Sequence, residues 1–574
     1  MNNKKLWLTA VIVCLISVAV YFPALHNDFV NWDDNEYVYD NPEMNATVSD
    51  FVSWAVVTSR TGYWHPLTWL SLRLDYSVWK LDPMGYHFTN VLLHGLNTLL
   101  VVLLAGLLLL KGSSLQKTPL IFGASVVGLI FALHPFNVES VAWVSERKNL
   151  LYSFFWLLGL LAYTGYSSST IHKKKALLFL LCLISFALSA SSKPMAVTFP
   201  VVLLILDFYP LGRLDQKGAF IKVALLEKLP FFIVSGAISI TTIVMQKGQG
   251  ITGAMEHLSL WKRSVGAVRS LGFYLVKMVY PVHLVPFYPL DIKISLFTWE
   301  NMLSFLFVLS VTAVCVKLWK RRPLLIAAWS YFLITLLPVI GIIQSGLQAR
   351  ADRYMYLPMI GPLMIIAAVG AVAWKKGGLI RYLFLSVFIF FSVAISVSTV
   401  KQISVWRDSV TLWEYVISKK PEATLAHIDL GLAYNKLGRT EDAIKEFLDA
   451  LKINFDNATV HNHLGLAYKK LGRTEDAIKE FIIAIQLNNQ YAKPHNNLGT
   501  IYFEHGRTGD AMKEFLTATK IDPGMSEAHR NLGVLFIKAG RLQEAVREFQ
   551  IASDLDPGNT SLRENLEMLK GMVK

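Results

Sequence analysis

The sequence predicts an all-α protein: a polytopic helical membrane domain followed by an α-solenoid of short helical repeats. Three observations carry this reading. Apolar runs close to twenty residues recur from Leu6 to about Val400, and each is long enough to cross a ~30 Å hydrocarbon core. Beyond Val400 those runs stop and a pattern with a period of 34 residues begins. Charge divides at the same place. Residues 401–574 hold 23 basic and 23 acidic side chains, so the net charge of +14 lies in residues 1–400, with 32 basic against 18 acidic. A basic excess in loops between apolar spans is an orientation signal and argues against nucleic acid as a partner. The three cysteines, Cys14, Cys182 and Cys315, sit inside apolar segments and offer neither a disulfide framework nor metal-ligand spacing.

Eleven spans are expected, near 6–25, 90–110, 119–134, 149–166, 175–191, 194–210, 229–245, 299–318, 324–343, 357–374 and 380–399. The first has no small-residue cleavage site and reads as an uncleaved helix. Segment 265–281 is apolar but carries Arg269 and Lys277, so it reads as interfacial or re-entrant. Lys4 and Lys5 then place the N-terminus inside, together with the clusters Lys173–Lys175, Lys320–Arg322 and Lys375–Lys376. Residues 401–574 are expected outside: in the periplasm for a bacterial inner-membrane protein, or the endoplasmic reticulum lumen for a eukaryotic one. The expected domains are 1–400 in the membrane, a connecting helix and partial repeat at 401–423, repeats over 424–559, and a capping helix at 560–574.

The repeat units run 424–457, 458–491, 492–525 and 526–559. Gly431, Gly465, Gly499 and Gly533 recur in step, as do Gly438, Gly472, Gly506 and Gly540, and Phe447, Phe481, Phe515 and Phe549. Pro523 and Pro557 close the last two units, and Trp413, Val416 and Pro421 fit the second helix of a preceding partial repeat. This pattern resembles the tetratricopeptide repeat. His427, His461, His495 and His529 also keep the period, but one superhelical step apart they are too distant to share a metal. Packing between helices accounts for them better. A second series, Asp429, His463, Asn497 and Asn531, occupies the place where similar repeats in sugar-transferring proteins carry an asparagine ladder. An amide side chain both donates and accepts, so the series is a candidate groove for an extended peptide.

Polar signatures cluster in the loops expected outside, where a merely solvated surface is the simpler alternative. The stretch NDFVNWDDNEYVYDNP, residues 27–42, carries Asp33 and Asp34. HPLTW follows with His65, and YHFTNVLLHGLN sets His87, Asn90, His94 and Asn97 on one helical face. ALHPFNVESVAWVSERKNLL carries His134, Glu139, Glu146, Arg147 and Lys148; SSKP carries Lys193; QARADRYMYLP carries Arg350, Arg353, Tyr354 and Tyr356. Trp32, Trp64, Trp69 and Trp143 read as an aromatic belt rather than as sugar stackers.

In this order the acidic pair, the YHxxN…H segment, the HPxxVExVAWxxxRKxLL loop and the RYxYLP loop resemble the TMTC proteins. Those are transmembrane, tetratricopeptide-repeat O-mannosyltransferases. More widely the chain is similar to the polytopic GT-C glycosyltransferases that use polyprenyl-phosphate sugars. The resemblance covers nearly the whole chain and implies a GT-C-like membrane fold, a lipid-linked donor, a protein acceptor and mannose as the sugar, which no residue here identifies by itself. Such a transfer needs a base for the acceptor hydroxyl and cations for the departing phosphate. Asp33 is the favoured base, with Asp34 the other candidate, or else a residue that binds the acceptor or orients the loop. Arg147, Lys193, Arg350 and Arg353 are the expected phosphate-binding cations, the guanidinium fork matching phosphate oxygens; snorkelling to headgroups is their bland alternative. His65, His87, Asn90, His94, His134, Glu139 and Tyr354 would line the sugar pocket or position loops. The departing phosphate carries its own charge, so neither cofactor nor metal is required. The alternative function is a membrane-anchored repeat scaffold without catalysis, although an anchor needs one span. A lipid-sugar transporter would place charges in mid-span, whereas these cluster at outer ends.

Overall fold

The computed structural model describes residues 4–573 except 59, 215–218, 249–257, 292–293, 343–347 and 557. Among the described residues regular structure is helical apart from one antiparallel pair, Tyr288–Pro289 with Gln348–Arg350. Contacts divide the chain into two units: Met1–Asn41 with Val48–Asp408, and Pro42–Thr47 with Ser409–Lys574.

The first unit is organised around the helix Pro83–Gly112. Asp82 caps it by accepting from the Met84 amide, and Pro83 sits in the first turn, where its missing N–H costs nothing. Lys4–Tyr21, Lys117–Leu133 and Arg147–Ser168 pack around it. Among the described residues seven segments are long and apolar enough to cross a membrane: Lys4–His26, Pro83–Gly112, Val144–Ser168, His172–Ser192, Ile221–Met245, Trp299–Lys317 and Gly378–Val405. An eighth follows if Lys117–Leu133 and Pro135–Ala142, bent by 51° at His134, count as one span. The chain is a membrane protein, but length and composition do not return the expected eleven spans among the described residues. Two of the expected spans form the shorter helices Pro194–Phe208 and Pro323–Leu336. The latter, of 14 residues, rises only about 21 Å. Segment 265–281 lies in the helix Leu260–Val279, which carries Lys262, Arg263, Arg269 and Lys277 and is not among the seven.

The second unit stacks helix pairs at the repeat period. Thr424–Lys436 pairs with Thr440–Ile453, Ala458–Lys470 with Thr474–Leu487, Ala492–Glu504 with Thr508–Ile521, and Ser526–Lys538 with Leu542–Leu555. Ser409–Lys419 precedes the array and Thr560–Val573 closes it. Within a pair the small residue is a packing requirement, because a Cβ on Gly465 would sit 2.6 Å from the Phe481 ring. The turn needs glycine for another reason: Gly472 has φ 73°, in the left-handed region. Of the two expected closing prolines, Pro557 lies outside the described residues.

Candidate functional site

A cavity of about 330 Å³ in the membrane unit is lined by Asp33, Tyr63, His65, Glu146, Lys148, Lys193, Arg353 and Tyr354, among others. Glu146 is its electrostatic hub. Its Oε2 accepts from Lys193 Nζ at 3.0 Å, while Oε1 lies 3.4 Å from Lys148 Nζ and 3.3 Å from Arg353 Nε. Arg353 also grips Glu139 through its guanidinium, and its backbone N–H donates to Glu139 Oε2 at 2.9 Å. Lys148 Nζ reaches Asp33 Oδ2 at 3.9 Å and lies 4.7 Å over the Tyr37 ring. Lys193 also donates to Asn149 Oδ1 at 3.1 Å.

Asp33 is the open member of this group. Its side chain is 41% accessible, against 16% for Lys148, 11% for Lys193 and Arg353, and 1% for Glu146. Burial nevertheless raises its carboxyl above the ordinary carboxylate value, against the pull of Lys148 and Arg353, and Glu146 pushes it further up. The two facts agree if the carboxylate faces the cavity while little bulk water surrounds it. Its φ of 64° is rare for a non-glycine residue, although aspartate and asparagine tolerate it better than most. Desolvation brings Lys193 down to about 8 despite Glu146. It also drives His65 down to about 3, so His65 is neutral, its ring set beside the stacked pair Tyr37 and Trp69.

Asp34 differs from its neighbour. It is 1% accessible. Its Oδ1 accepts from the Ser145 N–H at 2.9 Å and the Ser145 hydroxyl at 2.5 Å, and its Oδ2 from Val30 N–H at 3.0 Å. Burial still pushes it up to about 7, against these three hydrogen bonds. It fastens the first loop to the turn that carries Glu146.

The other expected residues are placed differently. Arg147 is fully buried away from the cavity, donating to Asn90 Oδ1, to Ser71 Oγ at 2.9 Å, to Asp75 Oδ2 at 2.7 Å and to Tyr86 O at 2.9 Å. Arg350 lies over the Phe273 ring at 4.8 Å, on the short β pair, outside the cavity lining. His87, Asn90, His94 and Asn97 share one face, but that face is buried in the bundle. Asn90 donates to Val141 O and Trp143 O, Asn97 to Leu150 O, and His94 Nδ1 meets Tyr356 Oη at 2.7 Å. His134 holds the bend, with Nε2 3.2 Å from Met278 O and Nδ1 accepting from Phe136 N–H. Glu139 positions Arg353. Trp32, Trp69 and Trp143, expected in a belt, are instead buried, with Trp32 stacked 4.6 Å from Trp143. The sequence assigned no role to Glu146 or Lys148. Their signal was the ERK triplet itself, whose three side chains point to different sides of one helical turn.

On the repeat array, each periodic histidine pairs with a glutamate 19 residues on. His427 Nδ1 lies 2.7 Å from Glu446, and His461, His495 and His529 lie 2.6 Å from Glu480, Glu514 and Glu548. Packing between helices therefore explains this series. Asn497 donates to Asn462 Oδ1 and Asn531 to Asn496 Oδ1, both at 2.9 Å, so these amides bridge neighbouring repeats. His463 stacks on Phe447, and burial takes it down to about 4; Asp429 is half-buried.

Models described as TPR repeat and Tetratricopeptide repeat match residues 431–472 and 467–506, and residues 496–560. A protein O-mannosyl-transferase of Caenorhabditis elegans is 23% identical over 457 residues, 77% of this chain and 62% of that protein. Tmtc1 of Drosophila melanogaster, also named a protein O-mannosyl-transferase, is 31% identical over 207 residues, 34% of this chain and 22% of the relative. The human protein O-mannosyl-transferase TMTC2 is 31% identical over 171 residues, 27% of this chain and 19% of the relative. The chain thus spans less than two thirds of the curated relatives it matches. Among solved structures, MamA is 25% identical with a TM-score of 0.24, covering 26% of this chain and 87% of that one. The chain is thus similar to proteins named protein O-mannosyl-transferases, and it carries a helical membrane domain followed by an array of tetratricopeptide repeats.

Proposed function

We propose that this chain is an inverting glycosyltransferase that moves a sugar, mannose by analogy with the named relatives, from a polyprenyl phosphate to a hydroxyl of a protein acceptor. The observation that carries the reading is the cavity in which Asp33, the most accessible carboxylate, stands beside Lys148, Lys193 and Arg353. Asp33 takes the proton of the acceptor hydroxyl as that oxygen attacks the anomeric carbon. The bond to the phosphate oxygen breaks on the opposite face, and the cations hold the departing polyprenyl phosphate. The raised Asp33 carboxyl suits this role, since a base works best when its pKa approaches the operating pH. The repeats supply the acceptor-binding surface. On this reading the catalytic loops and the repeats share the outer side of the membrane. A scaffold would have no use for five charged side chains lining one cavity.

The test is transfer by the reconstituted full chain. Labelled polyprenyl-phosphate sugars are offered singly, and label reaching protein is counted for wild type and Asp33→Asn. A loss of about 10²–10⁴-fold is expected for the variant. Near-full transfer in Asp33→Asn would refute the assignment of the base, and no transfer from any donor by wild type would refute the function.

A further inference from the structure

A second cavity, of about 680 Å³, lies in the membrane unit. Its walls are aliphatic, with Leu108, Leu160, Ile205, Met364 and Val369 among them, and among the described residues no carboxylate lines it. The charged members of its lining are Arg321 and Arg322, both exposed, in the turn before the helix Pro323–Leu336. Gly112 marks the same end. That is 22 residues, or about 33 Å, along the helix from Asn90, whose amide holds the Trp143 carbonyl in the turn leading to Glu146 of the charged cavity. This mouth is therefore a hydrocarbon thickness away from the charged cavity, at the opposite face of the bundle.

The depth of the cavity selects its occupant. Its wall runs along one helix from Ile360 to Val372, a rise of about 18 Å. Along another it runs from Pro323 to Tyr331, a rise of about 12 Å. One leaflet of a bilayer contributes about 15 Å of hydrocarbon. A long polyprenyl chain would overrun this space, whereas an ordinary acyl chain fills it. Lys375 and Lys376 follow Val372 within one turn, which adds positive charge at the level of the headgroups. Basic pockets between membrane helices of this kind hold anionic lipid heads.

We propose that this cavity binds an anionic glycerophospholipid of the leaflet opposite the charged site, with an acyl chain against the aliphatic walls and the phosphate at Arg321 and Arg322. The full chain is reconstituted in phosphatidylcholine vesicles and titrated with phosphatidylglycerol, the readout being its unfolding temperature. Stabilisation by phosphatidylglycerol is expected, with apparent affinity falling about fivefold for each of Arg321→Gln and Arg322→Gln. Ala368→Phe, which fills the cavity at mid-depth, should abolish the response while leaving the unfolding temperature in phosphatidylcholine alone unchanged. Equal stabilisation of wild type and the double arginine variant would overturn the proposal. So would an equal response to inorganic phosphate, which would make the site an anion site without a lipid, or an undiminished response in Ala368→Phe.

Discussion

Arg353 is 11% accessible and faces two carboxylates that are 3% and 1% accessible, Glu139 and Glu146. In Arg353→Ala the two do not fare alike. Glu146 keeps Lys193 at 3.0 Å and Lys148 at 3.4 Å, but Glu139 is left with the backbone N–H of residue 353 as its donor, beside the buried Asp352. One uncompensated buried carboxylate costs about 3–5 kcal/mol, which for a unit of this size is a fall of about 3–10 °C in unfolding temperature. The assay is thermal unfolding of the purified full chain in detergent, for wild type, Arg353→Ala, Glu139→Gln and the double variant. Because the penalty comes from the orphaned charge, adding Glu139→Gln to Arg353→Ala should restore at least half of the loss. Losses that simply add would refute the coupling. An unchanged unfolding temperature in Arg353→Ala would refute the ion-pair reasoning and leave Arg353 free for a ligand.

Asp33→Asn should leave the unfolding temperature unchanged, because asparagine tolerates φ 64° as aspartate does, so the loss of transfer reads the base alone. Transfer should rise with pH as Asp33 loses its proton, at a pH above the ordinary carboxylate range, and donor affinity should fall as pH passes about 8, where Lys193 becomes neutral; Lys193→Arg should move that alkaline limb upward in a pH series of donor binding. Asn497→Ala with Asn531→Ala removes two bridges between repeats, so the array should lose about 1 kcal/mol per site in denaturant unfolding, while donor hydrolysis without acceptor continues. Gly465→Ala places a methyl 2.6 Å from Phe481 and should destabilise the array by about 1–3 kcal/mol in the same assay.

The repeat array was legible because each of its positions is decided within 34 residues: Gly465 meets Phe481, and His461 meets Glu480, in the same unit. The membrane unit was legible only to the level of loops. Arg147, Lys148 and Glu146 adjoin in sequence, and successive residues of a helix turn by 100°, so only one or two can face a given cavity. Which ones do is decided by Asp75, distant in sequence, which claims Arg147. The face bearing His87, Asn90, His94 and Asn97 was read correctly as one face. Whether it met solvent or protein depended on Tyr356 and the Trp143 carbonyl, supplied by two other loops. Trp32 and Trp143 went inside for a similar reason: Trp143 Nε1 donates to Trp32 O at 2.7 Å, which satisfies the indole without the membrane interface.

The charges around the cavity bear on how such a site would work. Asp33, Glu139 and Glu146 face Lys148, Lys193 and Arg353, so the formal charges cancel. A donor phosphate therefore meets cations already engaged by carboxylates. Lys148 holds its carboxylates at the longest distances, 3.4 Å from Glu146 and 3.9 Å from Asp33, and it also donates to Tyr37 Oη at 3.3 Å. If it turns toward the phosphate, Asp33 loses one of the two cations that hold its pKa down and gains an anion nearby, and both effects raise its affinity for a proton. Under the proposed mechanism, binding the donor would make Asp33 a stronger base at the moment an acceptor hydroxyl arrives. Lys148→Met should then weaken donor binding and also make the Asp33-dependent limb of the pH profile insensitive to donor. A limb that still shifts on donor binding in that variant would show that Lys148 does not link the two.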